Sequence, residues 1–207
     1  QRSKQKQIEK WLDVLFYDCP EIFFSKCVII GEGETEQGAI PIYGEKIGKN
    51  LEQYGISYLN GKGDNLTHSI RLLSALKTPW VLVVDKDKEE SIKSLQLYNK
   101  ERTVITEEKA FEAETLAASP LEKILQALDI KSVSETNKER IAQLKVSIQS
   151  LKDKDLESLQ NVLTCLERSE IEKFKSDFVL KWMRAEKGLS FGRILAELLE
   201  ADEIPLA

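Results

Sequence analysis

Histidine is almost absent: His68 is the only one in 207 residues. Zinc hydrolases and Ser-His-Asp enzymes need imidazole as ligand or base, so a single histidine removes most of those mechanisms. His68 falls on a predicted helix behind a Gly-rich turn, where it reads as a surface or satisfied residue. Cysteine is scarce as well. Cys19, Cys27 and Cys165 are odd in number and lack metal-site spacing, and Cys27 heads an apolar run, so neither a disulfide nor a zinc site is expected. No apolar run approaches the roughly 20 residues of a membrane span, and Gln1-Arg2-Ser3-Lys4-Gln5-Lys6-Gln7 lacks a signal peptide's apolar core. A cytoplasmic location with no membrane association is the resulting expectation. No initiating Met opens the chain, which suggests a fragment of something longer. Net basic charge is missing too: the formal charge of −5 argues against a generally basic nucleic-acid coat. Between Arg168 and Arg193, however, seven Lys or Arg face four Asp or Glu, a local excess of three positive charges. That stretch reads equally well as a solvated helix face or as the basic flank of a site for polyphosphate.

What the chain does have is two apolar runs with acidic tips. Cys27-Val28-Ile29-Ile30 reads as a strand buried on both faces, and the chain then turns through Gly31 and Gly33 into Glu32, Glu34 and Glu36. Trp80-Val81-Leu82-Val83-Val84 repeats the pattern and ends in Asp85-Lys86-Asp87-Lys88-Glu89-Glu90. If both strands are parallel, both tips emerge at the carboxyl edge of one sheet, where open α/β sheets bind their ligands.

Taken in order, Ile8, Trp11, Leu12 and Leu15 predict a lead-in helix over Lys4 to Phe16, ended by Pro20. A strand over Lys26 to Ile30 and an acidic loop follow, then a helix from Ile40 to Leu51, with Pro41 tolerable only in its first turn. Ile56 to Leu59 is a second strand, Asn60 to Asn65 a turn, and Leu66 to Leu76 a helix. After the Trp80 strand come a helix around Ser91 to Asn99 and a short fourth strand at Thr103 to Thr106. Strand alternating with helix is the signature of parallel βαβ units. From Glu107 onward the periodicity is helical, with Lys131 to Glu139 as the expected flexible loop and a last helix at Phe191 to Leu199.

Two nucleotide motifs fail on inspection. Gly31-x-Gly33 would need its third glycine at Glu36, whose carboxylate would repel a pyrophosphate. Gly44 to Asn50 has one spacer too few for a phosphate-binding loop and ends in Asn where a hydroxyl must reach Mg²⁺. Glu32, Glu36, Asp85 and Asp87 remain. They offer only oxygens, and all-oxygen sites select Mg²⁺, Mn²⁺ or Ca²⁺. Four carboxylates in one pocket repel one another unless cations lie between them. Glu34 could point either way, and Lys88, Glu89 and Glu90 read as solvated.

Glu32-Gly33-x-Thr35-Glu36 after one strand and Asp85-x-Asp87 after another resemble the Toprim domain, most closely that of the OLD (overcoming lysogenization defect) nucleases. Phe111-Glu112-Ala113-Glu114 is similar to that family's later acidic pair, and Arg184-Ala185-Glu186-Lys187-Gly188, followed by Gly192 to Glu197, is similar to its closing segment. The resemblance runs from about Lys26 to the end. It implies an α/β fold: a Toprim-type central parallel sheet of about four strands flanked by helices, with a C-terminal helical subdomain. The implied organisation is a lead-in helix at 1–25, a catalytic core at 26–118, a helical insertion at 119–183 and a segment returning to the site at 184–207. It further implies a DNA endonuclease with two divalent cations, Mg²⁺ or Mn²⁺. Glu32, Glu36 and Asp85 would hold one, and Asp87 with Asp85 or the Glu112 and Glu114 pair the other, about 4 Å apart as two-metal sites require. The catalytic set would be Glu32, Asp85 and Lys187, with Lys187 neutralising charge that develops in the transition state. Lys181, Arg184 and Arg193 would face the DNA backbone.

Full-length OLD proteins place an ABC-type ATPase domain before this region, and some relatives act beside a helicase-like partner in phage defence, as in Gabija systems. The long helices also offer surface for a homodimer. Two rivals stay open: a primase- or topoisomerase-type Toprim enzyme, and a non-catalytic assembly module that uses its acidic tips only to bind a structural cation. A topoisomerase needs a nucleophilic tyrosine, and none of Tyr17, Tyr43, Tyr54, Tyr58 or Tyr98 has a persuasive context.

Overall fold

The computed structural model describes residues 9, 12, 15–17, 19–61, 66–95 and 98–205. The lead-in helix expected over Lys4 to Phe16 and most of the Asn60 to Asn65 turn lie largely outside the described residues. Four strands form one parallel sheet: β1 (Cys27–Gly31), β2 (Ile56–Asn60), β3 (Trp80–Val84) and β4 (Thr103–Ile105), in the order β2-β1-β3-β4. Gly31 is level with Asn60, Ile30 with Leu82, and Val84 with Ile105, so every strand ends at the same edge. The chain leaves β1 for β2 on one side and returns to β3 on the other. The crevice beyond the ends of β1 and β3 is therefore the switch point at which such sheets bind ligands.

Strand alternation sorts the two faces. Val28, Ile30, Leu82 and Val84 pack with Ile70 and Leu73 of α2 (Leu66–Ala75) and with Ile22 and Ile92. Ala39 and Tyr43 of α1 (Glu34–Lys46) belong to a second core, shared with the helical half of the chain. That half comprises α4 (Phe111–Ala118), α5 (Leu121–Lys131), α6 (Ser134–Ser147), α7 (Leu159–Leu163), α8 (Ile171–Phe174), α9 (Leu180–Glu186) and α10 (Leu189–Leu198), preceded by the short α3 (Glu89–Lys93). Phe111, Phe174 and Phe191 are fully buried there, each worth roughly 1.5–3 kcal/mol of transfer free energy. A π-helical turn, Lys175–Val179, joins α8 to α9 and gathers Phe174, Phe178 and Trp182 into one aromatic cluster.

Three expectations need correction. The helix expected at Ile40 to Leu51 begins at Glu34, and Pro41 lies inside it. The acidic residues after β1 are thus the first turn of α1, where carboxylates complement the helix dipole. Pro41 forfeits one backbone hydrogen bond in return for that start. The expected loop at Lys131 to Glu139 is two helices separated only by Ser132 and Val133. Its polar residues are committed to a buried network: Arg140 donates to Ser132, Asn137 and Glu186, and Asn137 to Asp129. The helix around Ser91 to Asn99 shortens to α3, with a 3₁₀ turn at Lys100–Arg102 before β4. No disulfide joins the three cysteines among the described residues. No described helix is long and apolar enough to cross a membrane.

Candidate functional site

Beyond the carboxyl edge lies a cleft of about 310 Å³ lined by Glu32, Glu34, Thr35, Glu36, Asp85, Glu112 and Lys187, with Gly33 and Gly188 as floor and rim. They arrive from five different elements. Glu32 follows β1, Thr35 and Glu36 open α1, Asp85 follows β3, Glu112 is in the first turn of α4, and Lys187 ends α9. The turn after β3 is pinned to β4: the Lys86 N–H donates to the Thr106 hydroxyl at 3.0 Å and the Lys86 ammonium to the Glu107 carbonyl at 2.7 Å.

Five residues of the expected set stand elsewhere. Asp87 is exposed in the 3₁₀ turn Lys86–Lys88, outside the cleft lining, although its charge still reaches Glu32 and Asp85. Glu114 is buried but accepts the Glu108 N–H at 2.7 Å, so one of its oxygens serves the loop before α4. Arg193 lines a separate groove of about 550 Å³ along β2 with Phe24 and Gln37. Lys181 and Arg184 are exposed on α9.

Thr35 was only one letter of a motif in the sequence, and the structure gives it a position at the centre of the cleft. Its buried hydroxyl accepts the Gly188 N–H at 3.1 Å and donates to Glu112 Oε1 at 3.4 Å. One side chain thereby ties together the start of α1, α4 and the Lys187-Gly188 turn. Gly188 at φ +145° adopts a backbone that L side chains rarely reach, and this bend lets α10 double back. The preceding α9 is anchored by Arg140, which pairs with Glu186 at 2.8 Å and lies 5.5 Å over the Trp182 ring. Both partners are largely buried, so deleting either would leave an uncompensated charge next to Lys187.

Electrostatically the cleft is unsatisfied. Burial pushes the Glu36 carboxyl up to about 7; its own N–H opposes this, and Asp85, Glu112 and Glu32 add to it. Asp85 also rises to about 7, through burial first and then Glu32 and Glu112, with the Phe111 N–H and Asp87 as smaller influences. Glu32 is raised by burial, against the pull of Lys88, the Asp85 N–H and Lys187. Glu32 Oε2 is buried with no hydrogen-bond partner among the described residues. Tyr58 lies beside these acids, its hydroxyl donating to the Gly33 carbonyl at 3.3 Å, and burial lifts it well above the usual phenol range. It is poorly suited to act as a nucleophile.

Oxygen-only donors, an orphaned buried carboxylate oxygen and acids held above their ordinary range fit a hard divalent cation. Among the described residues, no three Asp, Glu, His or Cys side chains are already drawn into a cage. A pH dependence follows from the raised acids. Between their ordinary values of 4.5 and 3.8 and about 7, the folded state binds more protons than the unfolded state. Stability contributed by these groups is therefore present at low pH and lost as pH rises through about 7. Melting curves in chelator should show Tm falling by several degrees from about pH 5 to about pH 8, with Mn²⁺ restoring it at the upper end only. The same pH profile with and without the cation would refute this assignment.

A four-stranded parallel sheet whose switch-point crevice collects acids from the ends of β1 and β3 defines a Toprim-type domain. Residues 23–87 match the family model described as overcoming lysogenization defect protein-like, TOPRIM domain, which bears out the resemblance read from the motifs. No curated protein matches. Among solved structures, the chain is similar to the C-terminal region of the Burkholderia pseudomallei OLD protein, at 20% identity over 88% of this chain and 92% of that one, TM-score 0.58. The C-terminal region of the Xanthomonas campestris pv. campestris OLD protein is comparable, at 19% identity over 89% of each chain, TM-score 0.58. At such identities the likeness establishes the fold. The family match spans Glu32, Glu36, Asp85 and Asp87 and ends before Glu112 and Lys187.

Proposed function

We infer that this chain is the nuclease part of an OLD-type enzyme, a Mg²⁺- or Mn²⁺-dependent endonuclease that cuts DNA phosphodiester bonds. The observation that carries the reading is the convergence of Glu32, Glu36, Asp85, Glu112 and Lys187 on one cleft from five separate elements. The first three would hold one cation, and Asp85 with Glu112, extended outward by Asp87, the second. Two such cations would supply activation of the attacking water and stabilisation of the leaving oxygen. The protein's own groups do the rest. Thr35 fixes the Glu112 carboxylate, and the ammonium of Lys187 is placed at the exposed rim, where it neutralises charge growing on the phosphate oxygens. Lys181, Arg184 and Arg193 are exposed and free to follow the backbone away from the cleft.

The matching structures are C-terminal regions of OLD proteins, which supports a preceding domain, of the ABC ATPase type, in the whole protein. The test is plasmid cleavage. Nicking should appear with Mg²⁺ or Mn²⁺, vanish in chelator, and fall on the order of a hundredfold in Lys187→Ala with cation binding retained. Nicking that persists in chelator would refute the cation dependence, and cation binding without any cleavage would replace the enzyme with an assembly module.

A further inference from the structure

The geometry points to a second polar site, an anion pocket at the amino edge of the sheet that takes a phosphate group between Lys77 and Arg102. The pocket is an open hollow of about 290 Å³ bounded by Ser74, Lys77, Thr78, Pro79, Trp80 and Arg102, of which only Trp80 is buried. It lies at the Trp80 end of β3, the length of a strand, about 15 Å, from the Asp85 end. In a chain of net charge −5 it has two cations and three donor side chains on its wall and no carboxylate.

The Arg102 side chain is held against an aromatic ring, whereas Lys77 is fixed through its backbone. The Arg102 guanidinium lies over the Trp80 ring at 5.7 Å, which fixes its plane while leaving its edge free to donate. Trp80 Nε1–H donates to Ser74 Oγ at 3.3 Å, so the Ser74 hydroxyl keeps its own proton for another acceptor. Lys77 carries the further signal. Its φ of +59° is the only positive value at a non-glycine among the described residues. It occupies the left-handed position of a Schellman cap on α2: the Thr78 N–H donates to the Leu73 carbonyl at 2.9 Å and the Lys77 N–H to the Ser74 carbonyl at 3.1 Å. Glycine takes that position without strain, so lysine is kept there at a small backbone cost. Neither Lys77 nor Arg102 makes an ion pair among the described residues. The competing reading is that Lys77 only complements the negative end of the α2 dipole, which requires no ligand.

A phosphate reaches such a pocket as the free ion, on a nucleotide, or within a polynucleotide backbone, and the site is independent of chemistry in the acidic cleft. The chain would be titrated in chelator with inorganic phosphate, with a nucleoside 5′-monophosphate and with a DNA duplex lacking terminal phosphates, by calorimetry and thermal shift. Saturable binding of at least one probe is expected, and the tightest identifies the source. Lys77→Gly should fold with a raised Tm, because glycine relieves the left-handed strain, yet bind that probe roughly tenfold or more weakly, as should Arg102→Ala. No saturable response to any probe, or binding unaltered in both variants, overturns the proposal.

Discussion

Asp85→Asn is expected to abolish cation-dependent cleavage, with a loss on the order of a thousandfold, while leaving the fold as stable as before or more so. The two directions come from one cause. Asp85 is half-buried beside Glu32 and Glu112, and burial first, then those two carboxylates, lift its carboxyl to about 7. Removing its charge relieves repulsion in the cation-free protein, just as it removes a ligand from the loaded one. Asparagine retains an oxygen for the Phe111 N–H that Asp85 accepts, so the local backbone need not shift. Two measurements separate the effects: Tm in chelator at about pH 8, expected to rise, and the Tm gain on adding Mn²⁺, expected to shrink or vanish. Glu36→Gln should behave alike, and the double variant should cleave no worse than either single one, because ligands acting as a unit are not additive. Full cleavage by Asp85→Asn would dismantle the nuclease reading.

The legible part of this molecule was the part governed by local pattern. Apolar runs placed all four strands, and β3 falls on Trp80 to Val84 as expected: one face is buried and the other, Val81 and Val83, half-buried, and both take apolar residues. Parallel pairing and the carboxyl-edge position of Glu32 and Asp85 followed from strand alternating with helix. What pattern alone did not reveal is set by contacts distant in sequence. Polarity at Lys131 to Glu139 suggested a loop, but Ser132, Asn137 and Arg140 spend that polarity internally on Asp129 and Glu186. Asp87 and Glu114 had the right chemistry and spacing, yet a 3₁₀ turn carries one outward and a backbone N–H occupies the other. Thr35 gains its role from Gly188, 153 residues later in the chain, a pairing no window of sequence displays.

The same long-range closure makes Gly192 the most sensitive position outside the cleft. Helices α1 and α10 cross with their backbones in contact, since a Cβ on Gly192 would come within 2.0 Å of the Thr35 carbonyl oxygen, and one on Gly38 within 2.2 Å of the Leu189 carbonyl oxygen. Main-chain atoms cannot rotate aside as a side-chain tip can, so Gly192→Ala must push the helices apart by an ångström or more. Overpacking of this kind costs about 1–3 kcal/mol, roughly 2–12 °C in Tm for a chain of this size. The functional consequence exceeds the stability loss. α10 begins at Leu189, so displacing it draws the Gly188 N–H from Thr35 and carries Lys187 out of the cleft. A misplacement of about 1 Å at a reacting group is enough for a hundredfold fall in rate. Gly192→Ala should therefore lose cleavage to about the level of Lys187→Ala while still binding Mn²⁺ through Glu32, Glu36 and Asp85, which reach the cleft without α10. Loss of Mn²⁺ binding in parallel would show that α1, which carries Glu36, gives way instead of α10, and undiminished cleavage would show that Lys187 does not depend on the α1–α10 crossing for its place.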